Sequence, residues 1–216
     1  IATIILPADV SWSEGAEVAG SVAPQPYPPV LDTGAVEVAL RSGEPTAILI
    51  GGDATRAAGL EAAARLAHAF EARLLCETFP ARLQRGAGIP DAERIAYFGE
   101  AALAQLQGTR NLILAGAVSP VSFFGYPGKP SDLVPEGCAV HTLAGPVGAA
   151  VALEKLADAL APGVPAPVAP ARRPEIPAGA LTVQTSAEVI GALLPERAIV
   201  VDESNTSGFL LPQATA

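Results

Sequence analysis

Short, uniformly apolar runs alternate along this chain with longer segments whose apolar residues recur at helical spacing. "TAILIGG", "RLLCE", "RIAYF", "NLILAG" and "CAVHTLA" read as strands. They lack the one-sided polarity of a half-exposed sheet, so they predict strands covered on both faces. Between them, "DTGAVEVALRSGE" reads as a short helix, with Asp32 as N-cap and Gly43 just past its end. "DATRAAGLEAAARLAHAFEA" reads as a long helix capped by Asp53, "GEAALAQLQG" as a shorter one and "GAAVALEKLADALA" as the closing one. "TFPARLQRGAGIPDAE" and "AVSPVSFFGYPGKPS" are too broken by Gly and Pro to be regular, and read as loops. Alternating strands and helices predict an α/β fold, a doubly wound parallel sheet of about five or six strands.

The flanks differ. "IATIILPADV" reads as a strand ending at Pro7, followed by the polar turn "SWSEG" rather than a helix. "SVAPQPYPPVL" and "PGVPAPVAPARRPEIPAG" are Pro-rich and extended. The second leads to a helix after Ser186, then to a buried strand from Ala198 to Asp202, a polar turn and the start of another helix. The expected division is an end of one domain over 1–20, a linker over 21–31, a central α/β domain over 32–161, a linker over 162–179 and the start of a further domain over 180–216.

Composition narrows the function. Half of the 216 residues are hydrophobic and 16% are charged, enough for a sizeable core. The formal net charge is −9 and no Lys/Arg-rich run occurs, which argues against nucleic acid as a partner. The apolar runs are strand-length, well short of the roughly 20 residues a membrane span requires. No basic segment followed by an apolar core and a cleavage site opens the chain. The two cysteines, Cys76 and Cys138, sit beside apolar runs and read as buried free thiols in a reducing cytoplasm, with a disulfide as the competing reading. There is no Met and the first residue is Ile, so the expectation is a piece of a longer protein.

Candidate chemistry gathers at strand ends. Gly51 and Gly52 stand at a strand-to-helix turn where a nucleotide could approach, with Asp53 beside them. A dinucleotide fingerprint and a P-loop Lys are missing, so a tight turn with a helix cap is the competing reading. The loop "SPVSFFGYPGKPS", with Lys129 its one charge, lies where open α/β sheets bind ligands, or else is simply packed. Arg82 and Arg85 could hold an anion or remain solvated. His68 and His141 are not at metal-ligand spacing, and no metal ligands are expected. The turn "DESNTSG" brings hydroxyls and backbone N–H groups to a helix start, a common way to hold phosphate.

The order of these phrases resembles the thiamine diphosphate-dependent enzymes that act on 2-oxo acids, acetolactate synthase and benzoylformate decarboxylase among them. "TIILPADVSW" resembles the end of that family's pyrimidine-binding domain. "PTAILIGGDATRAAG" with "LLCETFPARLQRGAG" resembles the first strands of its Rossmann-like central domain, and "AIVVDESNTSGF" the entry to its diphosphate-binding domain. The resemblance implies thiamine diphosphate and Mg²⁺ as cofactors of the whole protein. It implies that Glu203, Asn205, Thr206 and Ser207 lie near the diphosphate, and it sets Gly51, Gly52 and Asp53 where acetolactate synthases approach FAD. The loop "FFGYPGKPS" corresponds to one that supplies an active-site His in some decarboxylases; here it has none.

The family's ylid-generating Glu and its G-D-G magnesium motif are absent from this sequence. The expectation is therefore a catalytically incompetent fragment, carrying no catalytic residue and binding no cofactor. Its parent would be a cytoplasmic homodimer or homotetramer that decarboxylates or carboligates 2-oxo acids as a lyase or transferase. Two other readings are a stand-alone FAD-, ADP- or NAD-binding module and a structural spacer without a ligand.

Overall fold

A computed structural model describes residues 6, 8–15, 17, 20, 33–125, 127–204 and 206–215. Its elements run α1 (Ala8–Ser11), α2 (Thr33–Arg41), β1 (Thr46–Ile50), a 3-10 turn (Gly52–Thr55), α3 (Ala57–Ala69), β2 (Arg73–Cys76) and β3 (Glu93–Arg94). There follow α4 (Gly99–Leu106), β4 (Asn111–Ala115), β5 (Ala139–Ala144), α5 (Ala149–Leu160), α6 (Val183–Leu193), a second 3-10 turn (Ser207–Leu210) and α7 (Leu211–Ala214).

The five strands are all parallel, in the order β3-β2-β1-β4-β5. This is the doubly wound order, with its switch point between β1 and β4. Strand period decides which residue meets which layer. Ile48 and Ile50 of β1 and Ile113 and Ala115 of β4 face α2, α3 and α5. Ala47, Leu49, Leu112 and Leu114 face α4 together with Ile95 and Leu133. With helices on both faces, every residue of β1 is buried.

The alanine-rich sequence explains how α3 lies against α5. Ala62, Ala63 and Ala67 of α3 share one core cluster with Ala149, Ala152 and Ala157 of α5. Small side chains let the two helices approach closely. Arg65 fastens the pair, donating from Nη1 to Asp158 at 2.9 Å and from Nη2 to the Ala161 carbonyl at 3.0 Å, where the end of α5 leaves carbonyls open.

Several expectations change. The run "RIAYF" keeps only Glu93 and Arg94 of its neighbourhood in the sheet. β2 accounts for this: it ends at Cys76, whose carbonyl accepts from the Ile95 N–H at 2.9 Å, so the run has no partner strand beyond that point. On its outer side Gln105 accepts from the Ala96 N–H at 2.9 Å and donates to the Arg94 carbonyl at 3.0 Å. The helix expected after Ser186 starts at Val183, because Thr182 and Thr185 form a reciprocal cap. The run 198–202 is not a strand and is not buried; it pairs with no strand among the described residues. Ala8–Ser11 form a short helix; of the strand expected to end at Pro7 only Leu6 is among the described residues, and it is not in a strand. Asp32, the expected cap of α2, also lies outside them, while Gly43 has the left-handed φ of +71° expected just past a helix.

Candidate functional site

The expected nucleotide turn is built around close backbone contact. The Gly51 N–H donates to Ala115 at 3.0 Å, across the switch point. A Cβ on Gly51 would stand 2.6 Å from the Gly116 carbonyl oxygen and 2.7 Å from Glu77 Oε2. Gly52, at φ +53°, would drive a Cβ into the backbone of Pro146. These glycines thus make room for protein, not for an open crevice. Asp53 does not cap the helix that follows it, whose N-cap is Arg56 without a side-chain bond. Its carboxylate instead accepts from Gly148 N–H at 2.7 Å and Ala150 N–H at 3.0 Å. Asp53 therefore caps α5, ninety-odd residues away, and joins the β1 turn to the last helix of the sheet.

The second expected site, the turn after residue 201, folds on itself. Asp202 Oδ1 accepts from the Ser204 N–H at 2.9 Å and from its hydroxyl at 2.5 Å. Those bonds, the hydroxyl's first, hold the Asp202 carboxyl below its ordinary value. Gly208 packs so closely on Asp202 and Ser204 that a Cβ there would meet their oxygens. Glu203, Thr206 and Ser207 are exposed around this loop; Asn205 lies outside the described residues. Arg85, one of the two expected anion-binding arginines, donates to the Pro212 carbonyl in α7 and is partly desolvated there, which lowers its pKa. It ties the C-terminal segment to the sheet, while Arg82 remains exposed.

The third expected location is the loop "SPVSFFGYPGKPS", read either as a ligand-binding edge or as packed. At the C-terminal sheet edge lies an open cavity of about 190 Å³. Leu49, Ile95 and Leu133 line it, with Phe79, Val121 and Phe123 at its wall. Phe79, Tyr97 and Phe123 form a triangle with centroids 5.2–5.7 Å apart, and Phe98 and Phe124 pack on Tyr97. Tyr97 and Phe98 reach this cluster from the segment just past β3. Glu77, at the end of β2, accepts from the Val118 N–H at 3.1 Å and is the one charged residue of the lining. Lys129, the loop's expected cation, pairs instead with Glu100 at 2.6 Å. His68 is exposed on α3, His141 lies 3.3 Å from Asn111 Oδ1, and both cysteines are free. Among the described residues no His, Cys, Asp and Glu group is arranged to hold a metal ion, and no helix is long and apolar enough to cross a membrane.

No protein-family model matches the chain. Among curated proteins it is 65% identical, over all 216 of its residues, to "Putative acetolactate synthase large subunit IlvX" of Mycobacterium tuberculosis (strain ATCC 25618 / H37Rv). The chain spans 42% of the length of that relative. Among solved structures it resembles a thiamine diphosphate-dependent 4-hydroxybenzoylformate decarboxylase of Rhodococcus jostii RHA1, with a TM-score of 0.59 and 18% identity, over 91% of this chain and 40% of that one. It also resembles "a putative thiamin diphosphate-dependent enzyme isolated from Mycobacterium smegmatis", with a TM-score of 0.52 and 20% identity, over 75% of this chain and 36% of that one. By sequence the chain is homologous to a segment of the mycobacterial IlvX protein, and its five-stranded parallel α/β unit has the fold of the central domain of thiamine diphosphate-dependent enzymes.

Proposed function

We propose that the chain is part of a thiamine diphosphate-dependent enzyme that decarboxylates or carboligates 2-oxo acids. The observation that carries this reading is identity of 65% across the whole chain to a protein named as an acetolactate synthase large subunit. In this reading the α/β unit over 32–161 is the central domain, and residues 180–216 begin the part that holds the diphosphate.

The exposed hydroxyls of Thr206 and Ser207 suit phosphoryl oxygens, since each donates one hydrogen bond without adding charge. Glu203 and Asn205 belong to the same proposed wall. Asp202 is turned inward onto Ser204, so its charge is shared within the loop rather than set against the phosphate. Arg85 fixes the position of this loop against the sheet through α7. Thiamine diphosphate, when bound with Mg²⁺, supplies the electron sink that decarboxylation of a 2-oxo acid needs.

Residues 1–216 alone are proposed to be inactive, because the family's activating Glu and magnesium motif are not in this sequence. The test is CO₂ release from pyruvate and benzoylformate by the complete polypeptide, supplied with thiamine diphosphate and Mg²⁺. Turnover that depends on both additions is expected; absence of turnover with every 2-oxo acid tried would defeat the proposal. Calorimetry on residues 1–216 should show no binding of the cofactor and metal, and micromolar binding would refute their proposed incompetence.

A further inference from the structure

The cavity at the C-terminal sheet edge has a chemistry that the 2-oxo acid reading does not use. We infer that it binds a small apolar amine, with a ring or branched chain on the apolar floor and a protonated amino group facing Glu77.

Size comes first. An apolar protein cavity of about 150 Å³ accommodates benzene. The 190 Å³ here leaves room for a single ring and a short substituent. Leu49, Ile95, Leu133 and Val121 give the ring an apolar bed. Phe79 and Phe123, tilted at 55° with centroids 5.2 Å apart, offer aromatic contact at the wall.

Charge then selects the ligand. The lining contains Glu77 but no Lys, Arg or His. One Glu77 oxygen accepts the Val118 N–H, and a carboxylate has about four acceptor sites, so capacity for a donor remains. An ammonium would find a charge-assisted hydrogen bond beside apolar surface, where the local dielectric strengthens it. A carboxylate or phosphate would face Glu77 with no compensating cation in the lining. The chain's net charge of −9 favours approach of cations over a longer range. The ligand class is thus opposite in charge to a 2-oxo acid, and the inference stands apart from the proposed enzyme activity.

The experiment titrates the 216-residue chain with benzylamine, benzyl alcohol and benzoate, which share a ring and differ in charge, using ligand-observed NMR. Benzylamine should bind about tenfold more tightly than benzyl alcohol, with benzoate weakest. Glu77→Gln retains a carbonyl acceptor for Val118 and should bring benzylamine down to the level of benzyl alcohol. Val121→Lys adds a cation at the half-exposed rim without touching Glu77, and should move the preference toward benzoate. Phe123→Ala should weaken all three ligands alike. No binding of benzylamine, equal affinity across the series, preference for benzoate by the unaltered chain, or an amine preference that survives Glu77→Gln would each overturn the inference.

Discussion

Two stretches of this chain carry nearly the same apolar pattern and end in opposite surroundings. "TAILI", residues 46–50, is buried at every position, bonded to β2 on one side and β4 on the other. In "AIVVD", residues 198–202, Ile199 is 72% exposed and Val201 77% exposed. β-Branched residues favour extended backbone in both, yet a strand also needs neighbours that take its N–H and C=O groups. The first stretch has two such neighbours and a helix layer on each face. The second has none among the described residues, so its apolar content remains unused surface. An apolar run therefore states a demand for burial, and only its surroundings decide whether that demand is met.

The sharpest way to break the comparison is to shorten a side chain in each region. Ile113→Ala, beside β1 in the buried sheet, should cost about 2–5 kcal/mol through lost transfer energy and a cavity. Val201→Ala should change stability by less than about 0.5 kcal/mol, as surface substitutions do. Urea denaturation of both variants measures the contrast, and equal losses would show that the 198–202 run is buried in solution. Next in size is Gly52→Ala, which should cost about 1–3 kcal/mol because the new Cβ meets the Pro146 backbone at a positive φ. The same denaturation assay applies, and a neutral result would mean that this turn is looser than described.

Asp53→Ala should cost about 1–2 kcal/mol by stripping the cap from α5, with Asp53→Asn losing less. Faster amide hydrogen exchange at Gly148 and Ala150, rather than in α3, would separate this cap from the one its sequence position implies. The smallest effect concerns reactivity. Burial pushes the Cys76 thiol up to about 11, so it remains protonated at neutral pH, and Cys138 should be alkylated first under native conditions. The raised value stabilises the fold fully below the ordinary thiol pKa, and that contribution should fade as pH rises from about 9 toward 11. Mass spectrometry of partly alkylated protein and denaturation at pH 8 and pH 10.5 check the two parts.

Much of the sheet was legible because β1, β2, β4 and β5 are short, mostly apolar runs, set apart by helices with clear period or, between β4 and β5, by a Gly/Pro-broken loop. β3 was overestimated because its length is set by its partner: β2 stops at Cys76, and a local apolar pattern such as "RIAYF" does not show where the neighbouring strand ends. Asp53 was found as a cap but assigned to the nearest helix; its true partner became adjacent only when β1 and β4 brought the two ends of the unit together. The glycines at 51 and 52 were conspicuous for the right physical reason, close backbone approach, while what approaches is the chain itself. The cavity was legible only in part: the loop that carries Val121 and Phe123 was expected at the ligand-binding edge, whereas Leu49, Glu77, Ile95 and Leu133 come from separate segments that share no motif.

Gln105 also governs how the sheet can grow. Its amide holds the Arg94 carbonyl at the end of β3 and the Ala96 N–H just past it, and bonds to Glu93 as well, so the outer flank there is already occupied by a side chain. A visiting strand would have to displace that amide before it could pair. The end of the sheet at β3 is therefore guarded against strand addition and the aggregation it seeds, leaving β5 as the flank by which another β-strand could extend the sheet.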